Sequence, residues 1–219
     1  MTSTVLKRAV IFGTPVALCA LAAIHPLTPQ DNLATWNLIH TAQIPLAAML
    51  GISVILLVRD VRGPAAAMAR LAVVPWVAFF AAYDGVAGLA TGALAGFARD
   101  HPDMSAVVFE AAISISDSVV TGVALPIGAV LFSLLVFGGA AVALQRAGAG
   151  WLPALAIAAG GVVWTFIHPL IGAPAMLVFL AGAVAIELSP RIQTWPQSPL
   201  RLPMASAEMA AYVRQEDPT

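Results

Sequence analysis

Charged residues are scarce in this chain. Only 10% of its 219 residues are Asp, Glu, Lys or Arg, whereas an average soluble protein has about 25%. A soluble domain of this length would need a charged surface, so the shortage indicates that much of the surface faces lipid. The hydrophobic fraction of 60% indicates the same environment.

The low cysteine count and the balanced charge exclude several functional classes. Cys19 is the only cysteine, which excludes an internal disulfide, thiol-pair redox chemistry and a multi-cysteine metal site. The formal net charge of −1 leaves no basic footprint for nucleic acid. The sequence also lacks a G-x-S-x-G nucleophile elbow and a phosphate-binding loop.

Long apolar runs make up most of the sequence. A helix that crosses a bilayer needs about 20 mostly apolar residues, and six segments meet or approach that length. They are residues 9–24, 34–58, 71–97, 105–145, 151–168 and 170–188. The chain is therefore predicted to be an all-α, polytopic membrane helix bundle with about six transmembrane helices over residues 1–188, followed by a polar cytoplasmic tail over residues 189–219.

Two of these segments have alternative interpretations. Residues 1–24 carry Lys7 and Arg8 before an apolar run, as a cleaved signal peptide does. The apolar pattern continues to Ile24 without a clear cleavage motif, which favours a retained span. Residues 105–145 are too long for one straight crossing, so this segment is predicted to be kinked or divided, with Pro126 as a bend point.

The distribution of cations predicts the orientation. With a cytoplasmic N-terminus, nine cations fall inside and only Arg99 falls outside. The nine are Lys7, Arg8, Arg59, Arg62, Arg70, Arg146, Arg191, Arg201 and Arg214. This asymmetry predicts an even number of spans and places both termini in the cytoplasm of a bacterial-type cell, with the protein in the inner membrane.

Asp84 is the ionisable residue that this topology places deepest. It lies 13 residues beyond Leu71, which corresponds to ~20 Å along a helix and places it in the outer half of a hydrocarbon core about 30 Å thick. A carboxylate at that depth is costly unless it faces protein or water. His40 and His168 are predicted to lie toward the same outer side, so the predicted site is an extracytoplasmic pocket around Asp84.

A polar stripe interrupts the fourth segment in "VFEAAISISDSVV". On a helix, Glu110, Ser114, Asp117, Ser118 and Thr121 share one face. One interpretation is an amphipathic helix near residues 105–118 on the outer surface. The other is a stripe that enters the bundle and lines a cavity.

These residues support several functions. The leading hypothesis is a metal- or small-ligand-binding membrane protein, with an embedded enzyme as one form of it. Zinc or iron would be bound by His40, Asp84, Asp117 and His168, and Asp84 and Glu110 would be the catalytic carboxylates. A single haem held by His40 and His168 is a minor alternative.

Two alternatives need no metal. In a small proton-coupled transporter, Asp84 would be the central titrating group. In a non-catalytic subunit or assembly factor, no site would be needed.

The expected partners are the lipid bilayer and a small-molecule or lipid ligand. The small-residue repeat of Gly88, Gly92 and Gly96 is a predicted surface for homo- or hetero-oligomerisation.

Overall fold

The computed structural model describes residues 2–189, and within them the side chains of residues 4–189 except those of 116 and 167–169. The predicted tail from residue 190 onward lies outside this range.

The described residues form helices and short connections, with no strand among them. The α-helices are α1 (Thr2–Ala23), α2 (Leu33–Leu57), α3 (Pro64–Asp84), α4 (Thr91–Asp100), α5 (Ser105–Ser116), α6 (Leu125–Ser133), α7 (Gly139–Arg146) and α8 (Trp151–Glu187). π-Helical turns cover Gly85–Ala90, Val119–Ala124 and Leu134–Gly138, and a 3₁₀ turn covers Pro102–Met104.

Five helical stretches are long and apolar enough to cross a membrane. They are Thr4–Ala23, Leu33–Leu57, Pro64–Asp100, Val119–Arg146 and Leu170–Glu187. Trp151–Phe166 is a shorter apolar helix. The prediction of an all-α, polytopic membrane bundle is confirmed, whereas the number of crossings and the side on which the termini lie stay predictions.

The helix α8 is a hairpin rather than one straight rod. A Cβ added to Gly160 would lie 2.6 Å from the carbonyl oxygen of Ala175, and one added to Gly182 would lie 2.8 Å from that of Pro153. In a straight helix the first pair would be ~22 Å apart along the axis. The chain therefore reverses between Gly160 and Ala175, and the two halves pack closely because glycine lies at their interface.

The fourth predicted segment is divided near residue 118, where the predicted amphipathic helix ends, and not at Pro126. The helix α5 ends at Ser116, and Ser118 is extended with ψ of 148° before a second helical stretch begins at Val119. Pro126 does not divide the segment, because it lies in the first turn of α6 directly after a π-helical turn. The hydrogen-bonding pattern changes there, so its missing N–H is accommodated.

Cations gather at one end of the bundle. Lys7 at the start of α1 forms an ion pair of 2.7 Å with Glu187 at the end of α8. At the α2–α3 turn, Arg70 donates hydrogen bonds to the carbonyl oxygens of Val58 and, at 2.7 Å, Val61. Arg70 thus holds the α2–α3 turn against the start of α3.

Candidate ligand site at the outer end of the bundle

The predicted residues His40 and Asp84 are in direct contact. His40 lies in the third turn of α2, and Asp84 is the last residue of α3. Nδ1–H of His40 donates a hydrogen bond of 2.7 Å to Oδ1 of Asp84, and only 1% of the Asp84 surface is exposed. Asp84 therefore faces the interior of the bundle, as its cost in lipid requires.

Glycine and a π-helical turn bring these two helices together. The turn Gly85–Ala90 follows Asp84 directly, and a Cβ at Gly88 would clash with the imidazole of His40. The carbonyl oxygen of Gly88 accepts a hydrogen bond of 2.8 Å from the indole N–H of Trp36. π-Helical turns are frequent at functional sites because they rearrange backbone hydrogen bonding locally.

The glycine repeat is therefore a packing surface within the chain. A Cβ at Gly92 would clash with Asn37, and one at Gly96 would lie 3.3 Å from the side chain of Leu33. Both neighbours belong to α2. Oligomerisation of the protein stays a prediction, but this face is already covered by α2.

His25 belongs to the same cluster. It follows α1, and its ring centroid lies 5.1 Å from that of His40 and 5.3 Å from that of Trp36. Its Nδ1–H donates a hydrogen bond of 2.6 Å to the carbonyl oxygen of Pro26. Burial lowers the pKa of His25, and this outweighs the opposing effect of the Pro26 hydrogen bond. Sequence reasoning did not include His25 in the site, although its position at the same end as His40 was a usable signal.

Both histidines place Nδ1 against an oxygen acceptor. A neutral imidazole that donates through Nδ1–H carries its lone pair on Nε2. In metalloproteins a ligating histidine is oriented in this way, by donating its other N–H to a carboxylate or a backbone carbonyl. His40 donates to the carboxylate of Asp84, and His25 donates to the backbone carbonyl of Pro26.

Further buried polar atoms lie nearby. Gln43 is fully buried one turn beyond His40 on the same side of α2. Neither of its amide atoms, nor Oδ2 of Asp84, has a hydrogen-bond partner among the described residues. Because buried polar groups are nearly always satisfied, these atoms add to the polar character of the region beside the His40–Asp84 pair.

An aromatic layer separates the site from the end that carries the cations. Trp76 and Phe80 lie two turns and one turn before Asp84 on α3 and are fully buried. The ring of Phe80 stacks on Trp164 at 5.0 Å, and Trp76 meets Phe137 edge-on at 5.1 Å. The site is therefore closed toward that end by large apolar rings.

The other predicted residues do not join this cluster in the described structure. Glu110 is exposed on α5, and Asp117 is exposed just after it. Neither forms an ion pair with a described residue, and neither carboxylate is buried in the bundle, so the surface-helix interpretation stays a prediction. His168 lies within α8, but its side chain is among those not described, so its role stays a prediction. The described residues contain no group of three or more His, Cys, Asp or Glu arranged to hold a metal ion.

Comparisons with protein-family models, curated proteins and solved structures each find no match to this chain. The function is therefore inferred from the geometry of the site itself.

Proposed function

We propose that this integral membrane protein binds a zinc or iron ion at His25 and His40, with Asp84 as the residue that orients His40. The observation that carries the proposal is the pair of neighbouring buried imidazoles, each held through Nδ1 by an oxygen acceptor. In the neutral form of each ring this arrangement puts the lone pair on Nε2, which is the nitrogen that would coordinate the metal.

The spacing of the rings supports the proposal. With Zn–N bonds of ~2.0 Å and a tetrahedral angle, the centroids of two imidazole ligands lie about 5 Å apart. The centroids of His25 and His40 lie 5.1 Å apart. Asp84 then acts on the metal through His40, so its predicted catalytic role changes to that of a positioning residue.

The described residues provide two donors, and the sequence predicts His168 as a third. A zinc site with three protein ligands keeps its fourth position open for water or substrate, as catalytic zinc sites do. A bound zinc ion would lower the pKa of that water and support hydrolysis of a small substrate. Iron at the same ligands would favour redox chemistry instead. Under the predicted orientation, the site serves the extracytoplasmic side of the inner membrane.

A proton-coupled transporter is the second candidate, and the contact between His40 and Asp84 is the observation that favours it. Transmembrane proton relays use such pairs. The aromatic layer of Trp76, Phe80 and Trp164 argues against a relay, because it provides no titratable group on the way to the opposite end. A one-sided binding site is therefore the better proposal.

Elemental analysis and an absorption spectrum of the purified protein in detergent test the proposal directly. We expect zinc or iron near one equivalent in the wild type and its loss in a His25→Ala, His40→Ala double variant. The matched control is His101→Ala, because His101 is exposed and stacks on Phe97 at the same end of the bundle. It should keep the metal.

Asp84→Asn tests the positioning role separately. Loss of an orienting partner typically weakens metal affinity by about 10–100-fold, so we expect weakened rather than abolished binding. Asp60→Asn, at an exposed carboxylate in the α2–α3 turn, is the control. A wild-type protein that binds neither Zn²⁺ nor Fe²⁺ on titration would contradict the metal proposal. A haem Soret band lost with His40 would support the cytochrome alternative instead.

A further inference from the structure

A second cavity lies beside the histidine cluster and contains none of its residues. It has a volume of about 670 Å³ and runs between α4, α5 and the loop Leu27–Gln30. We call it the outer groove. Its apolar walls include Leu94 and Ala95 on α4, and Val108 and Ala112 on α5. Its volume lies within the range of about 300–1,000 Å³ typical of small-molecule sites.

The wall formed by α5 is poorly covered by the rest of the chain. None of the described residues of this 12-residue helix is buried, and Val107 and Phe109 are 63% and 65% exposed. An isolated helix of this length is marginal in water, because its stability comes mainly from packing of an apolar face. An apolar occupant of the groove, together with the surrounding bilayer, would provide that packing.

The rim of the groove carries one cation. Arg99 lines it, and its Nε–H donates a hydrogen bond of 3.1 Å to the neighbouring Asp100. The terminal nitrogens of Arg99 form no hydrogen bond with the described residues, and its side chain is 66% exposed. A guanidinium retains donors beyond Nε–H that match phosphate oxygens. The hydroxyls of Thr28 and Ser105 lie on the same groove.

We propose that the outer groove binds a membrane phospholipid, with an acyl chain against α4 and α5 and the phosphate at Arg99. Three observations converge on this occupant: an apolar floor, a cation at one end, and a helix whose apolar residues lack cover. A phosphate also suits Arg99 by hydrogen bonding, because Asp100 engages only Nε–H and leaves the terminal nitrogens as donors. The proposal does not depend on metal binding.

The groove also adjoins the candidate metal site. Leu27 follows His25 by two residues, and Thr91 directly follows the π-helical turn that begins after Asp84. The lining of the groove is therefore close in sequence to the histidine cluster.

Photocrosslinking tests the occupant. The full-length protein is reconstituted into phosphatidylcholine nanodiscs that contain a phosphatidylglycerol with a diazirine in one acyl chain, and the labelled peptides are mapped by mass spectrometry. We expect labelling on α4 and α5. Ala95→Phe fills the groove and should reduce it by ~3-fold or more, as lost apolar contact does. Ala93→Phe is the matched control, because Ala93 is exposed on the same helix and does not line the groove.

The charge at Arg99 is tested with a second lipid. A diazirine-bearing diacylglycerol has the same chains without the phosphate and should label α4 and α5 about tenfold less, since hydrogen bonds to charged groups are strong. Arg99→Gln should remove most of the difference.

Ala112→Phe, on the opposite wall, replaces Ala95→Phe if that variant is not monodisperse. Equal labelling in both groove-filling variants and the Ala93 control, or no preference for phosphate, would overturn the proposal.

Discussion

At the scale of single residues, the site depends on contacts that tolerate little change. His40 and Asp84 are both buried, so removal of either would leave the other without its hydrogen-bond partner. A buried polar group left unsatisfied typically costs about 1–3 kcal/mol. The imidazole of His40 also lies directly against the backbone of Gly88, and this contact has no free space.

Gly88→Ala should therefore destabilise the protein and displace His40. An added methyl group in a packed region costs about 1–3 kcal/mol, and the 2.7 Å contact with Asp84 should lengthen. Thermal unfolding in detergent, followed by tryptophan fluorescence, measures the loss. Gly85→Ala is the control, because a Cβ there meets nothing within 4 Å. Equal melting temperatures for the two variants would count against this packing.

The pH dependence of stability should report on His25. Burial lowers its pKa in the folded protein, so the fold resists a proton that the unfolded chain accepts near pH ~6.5. The free energy of unfolding contributed by this residue is fully present above that pH and is lost as the pH falls below it.

Melting temperatures of the wild type and His25→Gln, measured between pH ~7.5 and ~5.5, test this expectation. The comparison with the variant separates His25 from the carboxylates that also titrate in acid. The wild type should lose more stability than His25→Gln over this interval. Parallel curves would show that His25 is not the group responsible.

At the scale of elements, close helix packing determines where the site lies. The helices α2 and α3 are antiparallel neighbours, and Gly88 and Gly92 allow α2 to approach the chain beyond α3. The same device recurs in α8, whose two halves meet at Gly160 and Gly182. Small residues permit such approaches in membranes, where helix association depends on packing rather than on the hydrophobic effect.

Gly160→Ala should weaken the α8 hairpin. The new methyl group would lie 2.6 Å from the Ala175 carbonyl oxygen and 2.7 Å from Cβ of Phe179, so the halves would have to separate. We expect a loss of about 1–3 kcal/mol in the free energy of unfolding. Gly13→Ala is a suitable comparison, because a Cβ on this glycine of α1 meets nothing within 4 Å. It should be neutral or gain up to about 1 kcal/mol from helix propensity.

At the scale of the whole molecule, the two ends of the bundle differ. One end carries the Lys7–Glu187 ion pair and the Arg70 contacts with the end of α2. The other carries the histidine cluster and the outer groove, and the aromatic layer lies between them. A molecule built in this way is suited to a function on one side of the membrane.

Reporter fusions should show which side that is. A green fluorescent protein fused after Ser189 should fluoresce, because the positive-inside rule places this end in the cytoplasm. Alkaline phosphatase fused at Gln30 or His101 should be active, and the same enzyme fused at Gly148 should be inactive. The opposite pattern at all positions would reverse the orientation, and a mixed pattern would contradict the six-span topology.

Hydropathy predicted the class of this protein, because a bilayer imposes a minimum length and an apolar composition on every crossing helix. It also predicted that Asp84 faces protein, because lipid exposure would be costly. A break near Ser118 followed from only one of the two interpretations of the polar stripe, whereas the sequence also offered Pro126 as a bend point. The helix accommodates that proline through a neighbouring π-helical turn, which depends on packing that the sequence pattern does not reveal.

The sequence by itself determined the membrane-bundle architecture and the residues available for chemistry at the outer end. Only the tertiary structure decided which of them meet. His40 pairs with Asp84 and lies against His25, whereas Glu110 and Asp117 remain exposed on and just after α5. The reason is physical. Hydropathy sets the depth of a residue along the membrane normal, but the rotation and contact of each helix depend on side-chain packing between segments distant in sequence.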